Sequence, residues 1–173
     1  KGYYYKTYSP RLSQRSGKRK IITIEELKGN FRYWLHIHAA DRYYNPNEIG
    51  FFNSKNFIQY GSRVSYQILN KNKYFRNFQT MLYLGYQTRY DSNLKNRNGF
   101  SFSTSFQNNN LWQFSIRFRG VSKLKDWYET RTEDRFILDP KYLTTTIGID
   151  SDNTKKFSYG TDYIFTKYQN YQF

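Results

Sequence analysis

The chain reads in twos. Between residues 98 and 120, Phe100, Phe102, Thr104 and Phe106 fall on one side, and Ser101, Ser103, Ser105 and Gln107 on the other. After Asn108-Asn109-Asn110 the alternation resumes, with Trp112, Phe114, Ile116 and Phe118 set against Gln113, Ser115, Arg117 and Arg119. Side chains along a strand point alternately to opposite faces, so this pattern predicts a β-hairpin with one apolar and one polar side. The polar side is too hydrophilic for a core. An antiparallel sheet with one face in lipid and the other lining a wet interior fits the pattern best.

The same period recurs along the chain. Phe31, Tyr33, Leu35, Ile37 and Ala39 oppose Arg32, Trp34, His36 and His38. Ile58, Tyr60, Ser62, Val64, Tyr66 and Ile68 alternate with Gln59, Gly61, Arg63, Ser65 and Gln67, and Phe78 to Thr88 alternates with Gln79, Met81, Tyr83, Gly85, Gln87 and Arg89. Further strands are expected at 143–149 and 157–165. Residues 1–30 are expected to form a basic aromatic N-terminal strand and an irregular connection, with 21–30 ambiguous between a strand and a helical turn. In an up-and-down meander, the short connections 70–74, 108–111 and 151–155 fall at one end. The longer ones, 41–55, 91–97 and 121–141, fall at the other, a habit of outer-membrane barrels. The 10–30 connection is the exception.

The resulting expectation is an all-β, antiparallel up-and-down transmembrane β-barrel, with residues 1–173 as part of one barrel domain. Composition supports it. Aromatics make up 21% of the chain, with 19 Tyr and 15 Phe, whereas an ordinary soluble core is built on aliphatic residues. No apolar run is long enough for a transmembrane helix. A mean hydropathy of -0.93 is compatible with strands whose second face meets water. The chain starts at Lys1 without an initiator Met or signal peptide, so an excerpt of a larger barrel is expected.

With no Cys, disulfides and thiolate metal sites are excluded. The net charge of +15 attracts phosphates and acidic glycans. Lys1, Lys6, Arg11, Arg15, Lys18, Arg19 and Lys20 form a basic arm with interleaved tyrosines, but no nucleic-acid signature accompanies them, and nucleic acid is not the expected partner. His36 and His38 share a face without a clear third ligand, which favours two polar interior residues over a metal site. No cofactor is expected. No catalytic residues are expected either: both histidines sit within a strand, no Gly-x-Ser-x-Gly elbow occurs, and Glu129, Glu133, Asp134 and Asp139 are ordinary loop carboxylates.

The residues expected to line the interior are Arg32, His36, His38, Arg63, Arg89, Arg117 and Arg119, opposed by Asp150 and Asp162 among many Ser, Thr and Gln. Such a lumen favours anionic or sugar-like solutes. The alternative is that these arginines pair with acids elsewhere. In the longest loop, Trp127, Tyr128, Glu129, Arg131 and Arg135 are candidates for stacking on a sugar and holding its hydroxyls, or for folding inward as a plug.

Four stretches occur in a telling order: Gly2-Tyr3-Tyr4-Tyr5, Arg15-Ser16-Gly17-Lys18, Tyr44-Asn45-Pro46-Asn47-Glu48-Ile49-Gly50-Phe51, and Glu129-Thr130-Arg131 through Arg135 to Pro140. In these the chain resembles the C-terminal barrel of a family of Bacteroidota outer-membrane proteins in which a domain similar to family-nine carbohydrate-binding modules precedes a large barrel of unknown function. The resemblance implies a bacterial outer-membrane location and further strands. It also implies partnership with outer-membrane lipid, glycans and other outer-membrane proteins, in the role of a pore, a membrane anchor or a non-conducting scaffold.

Overall fold

The computed structural model describes residues 2–8, 16–44, 55–127, 130 and 135–169. Its strands are β1 (Gly2–Tyr8), β2 (Ser16–Glu25), β3 (Phe31–Ala40), β4 (Phe57–Ile68), β5 (Phe75–Arg89), β6 (Lys95–Asn108), β7 (Gln113–Val121), β8 (Leu124–Asp126), β9 (Ile137–Asp139), β10 (Tyr142–Asp150) and β11 (Gly160–Tyr168). Nine of them form one antiparallel sheet in the order β1-β2-β3-β4-β5-β6-β7-β10-β11, and β8 and β9 form a separate hairpin. The described residues contain no helix. The sheet is open, with β1 and β11 as its edges.

From β3 to β7 and β10 the register lines apolar side chains up with apolar ones across the sheet. Phe31 lies opposite Tyr66, Tyr33 opposite Val64, and Ile37 opposite Tyr60. Tyr60 faces Tyr86 and Val64 faces Leu82. Leu82 meets Phe102, Phe102 meets Phe118, and Ile116 meets Ile147. A slip of one residue in any pair would turn that strand's apolar set to the polar side, so the alternation itself fixes the register.

Among the described residues, no second layer covers the apolar face. Ile37, Tyr60, Leu84, Phe100 and Leu143 are each between 41% and 49% exposed. Among the described residues the buried hydrophobic side chains are only Ala40, Tyr44 and Phe57, and no large side chain is fully buried. The nine-stranded sheet is a single layer, with no second sheet of described residues packed against its apolar face.

Three expectations change. Residues 16–25, read as part of an irregular connection, form β2, with Ile22 opposite Ile37 and Ile24 opposite Leu35. Adjacent Ile21 and Ile22 blur the alternation, and Glu25-Glu26-Leu27 imitate a helical turn, but the β-branched run Ile-Ile-Thr-Ile favours extended backbone. The strand expected from Phe157 begins instead at Gly160. Before it, Ser151 and Tyr159 close the connection with Ser151 N–H to Tyr159 C=O at 2.8 Å and Tyr159 N–H to Ser151 Oγ at 2.8 Å. Within the segment read as irregular, β8 pairs with β9.

With β2 in place, the exceptional connection disappears. Connections 26–30, 69–74, 109–112 and 151–159 lie at one end, the turn end, and 41–56, 90–94 and 122–141 lie at the other, the loop end, together with the β1–β2 link. The two longest are both at the loop end, although 90–94 is as tight as the turns. At 26–30 the chain reverses through Gly29, whose φ of +76° suits a residue without a Cβ. Beside 90–94, pairing shifts from Gln87 with Arg97 to Thr88 with Lys95, leaving Asn96 as a bulge.

The start of the 41–56 loop folds back onto β2. Asp41 accepts from the backbone N–H of Lys18 at 2.8 Å, Tyr43 at 2.9 Å and Tyr44 at 2.8 Å. Gly17 lies against the backbone of Tyr43 and Tyr44 so closely that a Cβ there would overlap it. Backbone cannot swing aside as a side chain can. Gly17→Ala is therefore expected to destabilise the refolded protein by about 1–3 kcal/mol, read as a lower denaturant midpoint with an unchanged slope.

Candidate functional site

The polar face is built in transverse rows. Trp34, Arg63, Tyr83, Ser101, Arg119 and Thr144 are consecutive register partners from β3 to β10. In the next row toward the turn end, Arg32, Ser65, Met81, Ser103, Arg117 and Thr146 follow one another in the same way. Arg63 and Arg119 are three strands apart, about 14 Å at a strand spacing of about 4.8 Å. Arg63, Arg117 and Arg119 are exposed. All seven residues expected to face the interior share this side; five of them fall into three settings, and Arg117 and Arg119 stand apart as exposed groups.

The first setting is aromatic. Trp34 stacks on His36 with ring centroids 4.8 Å apart and planes 10° from parallel, and the Arg63 guanidinium lies 5.5 Å from the Trp34 ring centre. Tyr83 reaches across from β5 to within 6.4 Å of Trp34. Both rings pass over Gly61, where an added Cβ would sit 3.1 Å from Trp34 and 3.3 Å from the Tyr83 hydroxyl. Glycine at this position lets two large rings lie low on the sheet. Beyond His36, His38 packs edge-on against Phe57 at 4.8 Å.

The histidines are tied by hydrogen bonds rather than poised around an ion. Arg19 Nε donates to His38 Nε2 at 2.7 Å, and Thr23 Oγ1 lies 3.2 Å from His36 Nδ1. A cation donating to His38 Nε2 keeps that nitrogen as an acceptor and occupies the lone pair a metal would need. Among the described residues no three His, Asp or Glu side chains converge.

The second setting is at the turn end. Arg32 Nε donates to the Gly29 carbonyl at 3.2 Å, and Gln67, with its amide oxygen turned to Arg32, accepts from Nη2 at 2.7 Å. Arg32 therefore braces the β2–β3 turn. The third setting is at the loop end, where the Arg89 guanidinium lies 4.4 Å from the Trp127 ring centre and its Nη2 is 2.9 Å from Asp91 Oδ2. Asn56 Nδ2 donates to Asp91 Oδ2 at 2.8 Å, and the Asp91 N–H donates to Asn56 Oδ1 at 3.2 Å, so the 41–56 and 90–94 loops are joined through this carboxylate.

Trp127 also packs on Phe136 at 4.6 Å, and its Nε1 is buried without a hydrogen-bond partner. Of the loop candidates, Trp127 thus folds over Arg89 on the polar side, and Arg135 is exposed, its carbonyl accepting from Thr130 Oγ1 at 3.0 Å. Tyr128, Glu129 and Arg131 lie outside the described residues. Among the described residues, Arg89 with Asp91 is the ion pair that forms, and Arg63, Arg117 and Arg119 pair with no acid. Asp150 and Asp162 lie near the β11 edge, each opposite a glycine, Gly160 and Gly148.

Arg19, Thr23, Phe57, Tyr83, Asn56 and Asp91 were not among the sequence candidates. Tyr83 could have been found as an aromatic at a polar-parity position. Arg19 is hidden in a basic run, and Asp91 acts through a cross-loop contact that no local pattern encodes.

The hydrogen bond from Arg89, aided by Asn56 and Ser92, holds the Asp91 carboxyl down at about 2 against partial burial. A carboxyl depressed on folding stabilises the folded state above its ordinary pKa, and that contribution disappears as pH falls through the depressed value. The loop tie is therefore expected to be complete above about pH 4 and lost toward about pH 2. Asp91→Asn should flatten this part of the unfolding-temperature profile, with an effect at neutral pH below about 1 kcal/mol because the pair is partly solvated.

The polar-face geometry can be set beside known proteins. A family model described as Domain of unknown function (DUF5916) matches residues 3–173. No curated protein and no solved structure matches the chain. Since the family match covers nearly every residue, the chain belongs to the family of that domain.

Proposed function

We propose that this sheet is a section of the wall of a bacterial outer-membrane β-barrel, with the apolar face in lipid and the arginine-bearing face toward an aqueous lumen. Its role would be that of a pore linked to glycan binding or uptake. The observation that carries this reading is the apolar face left bare from β3 to β11 while the described loop residues Tyr44 and Trp127 pack on the other face. In water such a face far exceeds the apolar patch a soluble monomer tolerates. In a bilayer it needs no cover, and the ladder satisfies the backbone groups internally.

Aromatic rows at two levels support the orientation. Tyr60 and Tyr86 sit toward the loop end with rings 6.3 Å apart, and Phe78, Phe106 and Phe114 align toward the turn end. Along β5 these levels are separated by about 27 Å of strand, or about 20 Å of height at a tilt of about 40°, comparable to an apolar band of about 25 Å between girdles. The open edges at β1 and β11 call for further strands, since unpaired edge groups are costly in lipid. A barrel widened in this way encloses water.

Exposed arginines among Ser and Thr favour anionic and hydroxylated solutes, such as acidic sugars, over cations. The inward packing of Trp127 on Arg89 favours a second reading, a non-conducting scaffold closed by its loops. Planar-bilayer recording on the native protein separates the two. Steady, anion-selective current that loses selectivity in Arg63→Gln with Arg119→Gln supports the pore, and absence of current supports the scaffold.

The lipid-facing assignment has its own check. Leu82→Arg, near the middle of the apolar face, is expected to cost about 2–4 kcal/mol of folding free energy in bilayers. Ser103→Arg, on the opposite face, is expected to cost little. Equal effects, or release of the wild-type protein from membranes by carbonate, would overturn the membrane reading.

A further inference from the structure

The apolar face is not uniformly ridged. A groove of about 1070 Å³ runs across it from β3 to β11, at or above the upper end of the range for small-molecule sites, about 300–1,000 Å³. Its walls are two register rows: Leu84, Phe100 and Leu143 on one side, Ile37, Tyr60 and Tyr86 on the other. Gly120 keeps it open between Phe100 and Leu143, since any side chain there would run into the Phe100 ring.

At its β10–β11 end the groove becomes charged. Lys167 is the register partner of Leu143, on the apolar face of the edge strand, and Lys141 immediately precedes β10. The Gln169 N–H donates to the Lys141 carbonyl at 3.0 Å, which places Lys141 diagonally across from Lys167. Diagonal neighbours in an antiparallel pair are about 7–8 Å apart, close enough for one phosphate to meet both ammonium groups. Both lysines are exposed, and among the described residues neither pairs with an acid. On the membrane-wall reading Lys141 continues the loop-end row of Ile37, Tyr60 and Tyr86, and Lys167 lies one row below beside Leu143. Both ammonium groups then sit at headgroup level, where a lipid phosphate can meet them.

We propose that this groove binds a phospholipid with an anionic headgroup, its acyl chains lying along the apolar walls and its phosphate between Lys141 and Lys167. The charge complementarity selects the occupant: an uncharged amphiphile would fill the walls but leave two cations unanswered. This inference rests on the membrane-wall reading, in which the face is continuously offered lipid.

The test is native mass spectrometry of the complete protein in a neutral detergent, with equal amounts of dioleoylphosphatidylglycerol and dioleoylphosphatidylcholine. The wild type is expected to retain the anionic lipid about thirtyfold over the zwitterionic one, in line with about 1 kcal/mol for each of two basic residues near anionic lipid. Lys141→Gln with Lys167→Gln should bring the ratio close to unity without altering the circular dichroism spectrum. Lys28→Gln, at the turn end, should leave it unchanged. Equal retention of the two lipids by the wild type, or an undiminished preference in the double variant, would overturn the proposal. Carbonate extraction distinguishes this failure from that of the underlying reading. Protein that stays with the membrane but shows no headgroup preference sinks the groove alone. Protein released by carbonate that keeps a lysine-dependent preference sinks the membrane wall and retains the groove as a lipid site.

Discussion

The constraint on which everything else depends is that a one-layer sheet has two faces and no core. In a soluble β protein the apolar face of each sheet is covered by another sheet or by helices, and the resulting interior supplies most of the stability. Here Ile37, Leu84, Phe100 and Leu143 stand open, and the described residues offer nothing to cover them. Stability inside the sheet comes from nine strands of backbone pairing and from contacts such as Phe106 on Phe114, with ring centres 4.9 Å apart. The choice of solvent for the bare face is therefore the choice of function, and lipid is the solvent that asks for no additional layer.

The polar face answers to a different demand. It must hold several large cations, and it does so by geometry. Arg63 is spread on Trp34, Arg89 is clamped between Trp127 and Asp91, Arg19 is hydrogen-bonded to His38, and Arg32 caps a turn. Guanidinium groups suit such placements because they are planar and weakly hydrated, and they stack on aromatic rings more readily than an ammonium does. Arg117 and Arg119 are exposed on a strip floored by Ser101, Ser103 and Ser115, so the charge there is open to a solute. Glycine at 61 is what lets Trp34 and Tyr83 meet across a whole strand.

The strands β3 to β7 are legible in the sequence because a period of two is a local signal, and a strongly patterned strand needs no partner to reveal it. β2 is not, since Ile21 beside Ile22 places an apolar residue on each face, and only pairing with β3 decides which one matters. The start of β11 was misplaced for a related reason. Phe157 and Tyr159 keep the alternating pattern, but Tyr159 is drawn into the turn by Ser151 and by the Trp112 ring at 5.4 Å. Parity also grouped the arginines on one face. It could not assign their partners, because Trp127 on Arg89 and Asn56 on Asp91 join segments far apart in the chain.

Strand direction limits what can complete the wall. β1 and β11 both run from the turn end toward the loop end, because an odd number of strands in an antiparallel meander returns the last to the direction of the first. They therefore cannot pair with each other in antiparallel fashion, and on the membrane reading an all-antiparallel closure takes an odd number of further strands between them. A second copy does not supply these. Pairing β11 of one copy antiparallel to β11 of another would point the loop ends of the two copies in opposite directions, and two copies inserted the same way would offer each other only parallel edges. On the membrane reading, what joins these edges is strand sequence of a different kind, alternating in the same period of two and running from the loop end to the turn end where it meets β11.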